Sequence, residues 1–291
     1  MAKLDFSDLC LDASTTVQLL HAVADRAPVL LIGPGGAGKV AIARRLATIL
    51  PERSAEELQQ ATMIHAAAGL GPERVAAQEP FRAPHHTVNA AAMSGSWTRP
   101  RSRRHPADDA WQRKHGRPLR PGECSLAHTG VLLLDDLPEF SRAVLNMVGG
   151  ILKRGSVTLT RFASAGRPRS DCEQVTVPAA PLLVACATLC ACGAKGDPKR
   201  TCRCTDEVQA RWDARLDAAC TLLGIERRIV LLPAARRSVH RIPAPCSAKM
   251  RRSIETRRAS TAERDRTEVE ALGLPDGVDY EELILGEDEE S

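Results

Sequence analysis

The sequence predicts an α/β fold, a mostly parallel sheet covered by helices on both faces. Three observations carry that prediction. The segments Val29–Ile32, Gly130–Asp136 and Pro181–Ala187 are dominated by unbroken apolar runs, as expected of strands buried on both faces. Segments with helical spacing lie between them, the arrangement that produces parallel strands joined by helical crossovers. Finally, Gly33-Pro-Gly-Gly-Ala-Gly-Lys39-Val40 follows the first strand directly and opens the helical pattern Ala41–Leu50. Strand, glycine-rich loop and helix in that order form the setting of a phosphate-binding loop.

The elements are expected in this order. Residues 12–26 read as a short helix, with Asp12 or Ser14 as its cap. Val29–Ile32 is the first strand, and Val40–Leu50 is a helix that stops at Pro51, because a residue before proline is pushed out of the helical region. Ala55–Ala68 is helical. Residues 97–120, rich in Arg, Pro and His, read as a loop or insertion. Gly130–Asp136 is a strand ending in two carboxylates, and Arg142–Leu152 a helix. Val157–Thr160 and Glu173–Val177 pair as a hairpin. Pro181–Ala187 is a third buried strand, Val208–Leu223 a helix and Ile229–Leu232 a last short strand. From Ala234 onward no periodicity is visible. The expected organisation is a core at 1–233, with an insertion at 97–120 and a Cys-rich loop at 188–205, followed by a charged, disordered tail at 234–291.

Bulk properties narrow the class. A chain of 291 residues with 43% apolar content can bury one large or two small cores. No run of apolar residues is long enough to span a bilayer, and the first residues lack a signal peptide's apolar stretch. The expected compartment is the cytoplasm, where ten Cys are reduced thiols or metal ligands rather than disulfides. The net charge of +4 hides segregation: residues 97–120 hold eight Arg and Lys against two Asp, whereas 263–291 hold twelve Asp and Glu against two Arg. With Trp97 and Trp111 among its cations, the insertion reads either as a single-stranded nucleic-acid contact or as a solvated loop.

The chemistry sits in four places. In the phosphate loop, Gly33, Gly35, Gly36, Ala37 and Gly38 turn backbone N–H groups toward phosphate oxygens, and Lys39 neutralises them. ATP or ADP with Mg2+ is the implied ligand. Val40 departs from the motif, which wants a hydroxyl there to hold magnesium. At the end of the second strand, Asp135 is placed to organise the metal and Asp136 to activate water. Asp is one methylene shorter than Glu, so its carboxylate stops about 1.5 Å short, and displacements of ~1 Å can cost on the order of 100-fold in rate. Cys190, Cys192, Cys202 and Cys204 form two Cys-x-Cys pairs, read either as a structural Zn2+ site or as unbound thiols. The remaining Cys read as packing residues. His85-His86 reads as a structural turn, or alternatively as metal or phosphate contacts.

Phe81-Arg-Ala-Pro-His-His-Thr87, Pro121–Phe140 and Gly196–Cys204 closely resemble the magnesium-chelatase-like AAA+ ATPase family, in its ComM/YifB-type branch, over roughly residues 14–233. The resemblance implies an AAA+ P-loop NTPase core, a homo-oligomeric ring or a partner AAA+ subunit, and motor activity on DNA during recombination or transformation. It also assigns Thr188 to the position that orients attacking water, and Arg227 to the arginine that reaches a neighbouring subunit's phosphate. Several positions depart from the family: Val40 for Thr or Ser, Asp136 for Glu, Ala187-Thr188-Leu189 for Met-Asn-Pro, and Glu226-Arg227-Arg228 for Asp-Arg-Ile. The family's N-terminal protease-like domain and C-terminal helical lid are not expected here. A degenerate, truncated member with weak hydrolysis follows, or alternatively a non-catalytic scaffold subunit that binds DNA or a partner ATPase.

Overall fold

The computed structural model describes residues 4–71, 75, 80–97, 119–161, 173–231 and 242–259. Five strands form a parallel sheet in the order β10-β2-β9-β6-β3: Arg227–Val230, Val29–Ile32, Leu182–Ala187, Val131–Leu134 and Phe81–Arg82. The chain divides into two compact units, one of residues 1–52, 133–139 and 182–291, the other of 53–132 and 140–181.

In the first unit β2 is the centre. Val29–Ile32 pairs in register with Val184–Ala187 on one side and Arg227–Val230 on the other. Both partners are parallel and β9 is buried throughout, which explains the unbroken apolar runs. Helix α1 (Ala13–Ala24) starts where Asp12 accepts a 2.7 Å bond from the Thr15 N–H. Helix α2 (Lys39–Ile49) starts without any side-chain cap, because the residue before it is Gly38. Helix α7 (Asp206–Leu223) is capped by Thr205 and closed by Gly224 in the left-handed conformation.

In the second unit, β3 pairs with the first half of β6, Phe81 opposite Val131 and Arg82 opposite Leu132. Helix α3 (Ala55–Ala67) opens on a capping box formed by Ser54 and Glu57. Two antiparallel hairpins follow, β4 (Gly95–Trp97) with β5 (Leu119–Pro121) and β7 (Ser156–Arg161) with β8 (Glu173–Pro178). Short helices α4 (Ala90–Ser94) and α5 (Glu123–Leu126) flank the first hairpin in sequence, and α6 (Arg142–Arg154) precedes the second. Arg82 meets Glu123 through two bonds of 2.6 and 2.7 Å. The His85 and His86 rings lie 4.0 Å apart, and His86 stands edge-on to Phe140. Among the described residues no candidate metal-ligand group includes them.

Three expectations need correction. Trp97, Leu119 and Arg120 are paired strand residues rather than loop, while 98–118 lie outside the described residues. The last strand starts two residues earlier than expected, because its register follows Val29 of its neighbour rather than its own apolar content. Most consequentially, residues 242–259 are not a structureless tail: β11 (Ile242–Pro243) pairs with β1 (Cys10–Leu11), and α8 (Ser247–Ala259) packs on α1 and α2. Among the described side chains of α8, Met250 and Ile254 are the buried apolar ones, so its helical period is hidden among basic residues. The expected tail at 260–291 and the hairpin turn at 162–172 lie outside the described residues. Of the Cys read as packing residues, Cys124, Cys186 and Cys220 are buried, Cys10 and Cys246 are exposed, and Cys172 lies outside the described residues.

Candidate functional site

The glycine loop leaves the sheet at the carboxyl end of β2. The Gly33 N–H donates to the Ala187 carbonyl at 3.2 Å, which ties the start of the loop to β9. A Cβ at Gly33 would come within 2.3 Å of the Leu231 carbonyl oxygen, so the backbones of the loop and of the β10 exit approach as only glycine allows. Gly38 has φ +86 and places Lys39 at the first position of α2. With no side-chain cap, the first-turn N–H groups of α2 and its positive dipole end remain open to an anion.

Lys39 is half-buried and donates to the Gly33 and Pro34 carbonyls at 2.7 and 2.9 Å. Burial lowers its ammonium pKa, while negative charge nearby works in the opposite direction. Cys186 is not a real source of that charge: burial, then the neighbouring Asp135, push its thiol up to about 12, so it is neutral at physiological pH. The anions facing Lys39 are therefore Asp135 and Asp136. Burial and the like charge of Asp136 raise the Asp135 carboxyl, against the opposing Asp136 N–H and Lys39. That N–H donates to Asp135 Oδ1 at 3.1 Å, and Asp136 sits at φ 55, a region that Asp tolerates better than most residues. Lys39, Asp135 and Asp136 are thus brought together. Val40, in the first turn of α2, adds no oxygen to the group.

A cleft of about 240 Å³ adjoins the loop, lined by residues 8–12 on one side and by Gly36, Ala37, Gly38, Ile42 and Leu231 on the other. Of the segment 8–12, sequence reasoning singled out only Asp12, as a helix cap and not as part of a site. The segment carries no motif and joins the loop only through the fold.

Thr188 follows β9 immediately. Its hydroxyl donates to the Cys190 carbonyl at 2.8 Å, and its own carbonyl accepts the Trp212 Nε1–H at 3.0 Å. Gln209 donates to the Leu189 carbonyl, so α7 holds this turn at two points. Arg227 is not brought to the phosphate loop of its own chain. It begins β10, whose opposite end lies beside the exit of β2, and it pairs with Asp25 at 3.3 Å.

The four Cys of the 188–205 loop converge. Their sulfurs all lie within 4.8 Å of one another, with 3.4 Å for Cys190–Cys192, 3.7 Å for Cys192–Cys202 and 3.6 Å for Cys190–Cys202. Metal–sulfur bonds of about 2.3 Å in a tetrahedron give sulfur–sulfur edges of about 3.8 Å, close to these separations. Within the cluster the shifts oppose each other: backbone hydrogen bonding from Arg203, then from Ala194, lowers the Cys192 thiol to about 6, whereas, against a backbone bond from Cys204, desolvation and the neighbouring thiols push Cys202 up to about 11.

A family described as magnesium chelatase, subunit ChlI, matches residues 5–107 and 113–226. The chain is 37% identical to the Escherichia coli (strain K12) protein named uncharacterized protein YifB over 134 residues, 46% of this chain and 23% of that protein. It is 33% identical to competence protein ComM of Haemophilus influenzae over 159 residues, 54% of this chain and 28% of that protein. The chain therefore spans about a quarter of the length of these relatives. A cryo-EM-based structure of the complex between magnesium chelatase subunits BchI and BchD aligns with 91% of this chain and 69% of its own, at 17% identity and a TM-score of 0.44. Because the family match spans well over half of the sequence and includes the glycine loop, Asp135-Asp136 and all four clustered Cys, the chain belongs to the magnesium-chelatase-like AAA+ family.

Proposed function

We propose that this chain binds ATP or ADP through Gly33–Val40 and hydrolyses ATP weakly, as a ComM-like module. The observation that carries the reading is Lys39 in an uncapped helix start, facing Asp135 and beside a cleft large enough for part of a nucleotide. The backbone of Gly33, Gly35, Gly36, Ala37 and Gly38 holds phosphate oxygens, for which Lys39 must release the two carbonyls that it now contacts. Magnesium supplies charge neutralisation between phosphate oxygens when bound. Asp135 suits it, since a carboxyl raised by burial and a like-charged neighbour is one that a cation would relieve. Val40 offers nothing to that ion, so the protein's hold on it rests on Asp135 alone. Asp136 is assigned as the base, Thr188 as the residue orienting water, and Arg227 as a contact to a neighbouring chain's phosphate. The Cys190, Cys192, Cys202 and Cys204 thiols fit zinc as a structural ion that ties the turn after Thr188 to the start of α7.

One relative is named competence protein ComM, and from it and the family resemblance we extend to this chain a role in DNA processing, within a ring or beside a partner AAA+ subunit, in the cytoplasm. A non-catalytic scaffold is the second reading. It is favoured by the Thr188 hydroxyl already being committed to Cys190 and by Arg227 being paired within its own chain. Titration with a fluorescent ATP analogue, with and without magnesium, tests the primary reading. Lys39→Ala is expected to weaken binding by on the order of 100-fold, from loss of charge-assisted bonds. Equal binding by Lys39→Ala and the parent chain would reject the phosphate-loop assignment.

A further inference from the structure

Residues 8–12 form half of the cleft beside the phosphate loop, and they are held from several sides. Part of the support comes from α2, where Arg45 donates to the Asp5 carbonyl at 2.9 Å and to the Asp8 carboxylate at 3.0 Å. Local bonds tie Asp12 to the start of α1, and Asp8 and Leu9 to Asp5 and Phe6. Further ties come from residues more than two hundred positions away. Cys10 and Leu11 pair with Pro243 and Ile242, and the Ala244 N–H donates to the Leu9 carbonyl at 2.9 Å. Ser247 joins three elements at once. Its Oγ accepts the Phe6 N–H at 2.8 Å and meets the Thr48 hydroxyl at 2.8 Å, while its own N–H is shared by the two Asp5 oxygens at 3.2 and 3.3 Å. Behind it, Met250 and Ile254 are buried and Arg251 donates to the Thr48 carbonyl at 2.8 Å, anchoring α8 against α2.

We propose that residues 242–254 act as a clasp on the nucleotide cleft, with Ser247 as its positioning residue, so that nucleotide binding and docking of this segment strengthen each other. The inference rests on the nucleotide-binding reading above and adds a coupling that the reading does not require. The physical basis is that a ligand touching residues 8–12 gains only if they are held, and the clasp holds them. Linkage then requires the ligand to favour the docked clasp by the same factor.

The test uses the full chain. Amide hydrogen exchange is followed with and without saturating ATP, and a fluorescent ATP analogue is titrated into the parent chain, Ser247→Ala and Ser247→Thr. ATP is expected to slow exchange at Phe6, at Ala244 and through the first turns of α8, although none of these lines the cleft. Ser247→Ala, which leaves the buried Phe6 N–H without its acceptor, should raise the Kd by on the order of tenfold, and Ser247→Thr should restore most of the affinity. A role in folding alone would lower the melting midpoint without linking exchange at Ala244 to ATP. Binding with unchanged exchange at 244–254 in the parent chain overturns the clasp and leaves nucleotide binding standing. Failure of the parent chain to bind at all removes both. The exchange measurement needs no variant, so it decides even if Ser247→Ala does not fold.

Discussion

Two residues of the phosphate site depart from what its chemistry wants, and both act through single atoms. Val40 occupies the first turn of α2 where a hydroxyl would hold the metal, and Asp136 ends one methylene short of Glu. Val40→Thr combined with Asp136→Glu is expected to raise ATP turnover by roughly 10- to 100-fold, read as phosphate release. No change would place the block at Thr188 or Arg227 instead. Asp135 carries a cost in the unliganded fold. Its carboxyl is raised above 3.8, so the folded chain binds a proton more readily than the unfolded one. The penalty is therefore full above the raised folded value and is relieved as pH falls toward 3.8. Asp135→Asn should raise the melting midpoint at neutral pH by about 2 °C, corresponding to less than ~1 kcal/mol after solvent screening, and the gain should shrink near pH 4. A midpoint that does not move, or moves equally at both pH values, would reject the electrostatic account.

At the scale of elements, the loop at 188–205 is built around its sulfurs. Among the described residues from Thr188 to Thr205 there is no helix or strand, and what orders the segment is the Cys cluster together with two bonds from α7. The purified chain is expected to carry about one zinc equivalent, and Cys190→Ser should lose most of it and melt several degrees lower. Metal-free protein whose melting is indifferent to chelator would return the cluster to a set of free thiols. The cap at Asp12 was legible because a short polar side chain before a helical pattern bonds an N–H three positions on, and Ser141 and Thr205 cap their helices in the same way. The two-residue strands β1, β3 and β11 were not legible, since they are shorter than any period that burial could impress on them.

At the scale of the whole molecule, the parallel sheet places the glycine loop and the acidic pair at the carboxyl ends of strands of one sheet, which is why two segments about a hundred residues apart in sequence belong to one candidate site. The basic insertion belongs to this scale too, because the DNA contact proposed for it would act through the field of eight Arg and Lys rather than through any one of them. Deleting 98–118 is expected to weaken binding of single-stranded DNA and to flatten its dependence on salt, measured by anisotropy between low and physiological ionic strength. Equal affinity and salt slope in the deleted chain would remove the insertion from DNA binding.

The sequence alone determined the buried strands, the phosphate loop and the Cys spacing, because each is local: a burial pattern, a backbone that must turn, ligands within fifteen residues. Even the family could be read there, from runs such as Phe81–Thr87 that retain their order. Only the tertiary structure decided that Arg227 answers Asp25, that Thr188 is committed to Cys190, and that residues 8–12 wall the cleft under the hold of Ser247. Those are pairings between distant segments, made by polar groups whose residue types are ordinary on any surface. Burial and proximity give them meaning, and neither leaves a periodic mark in the chain.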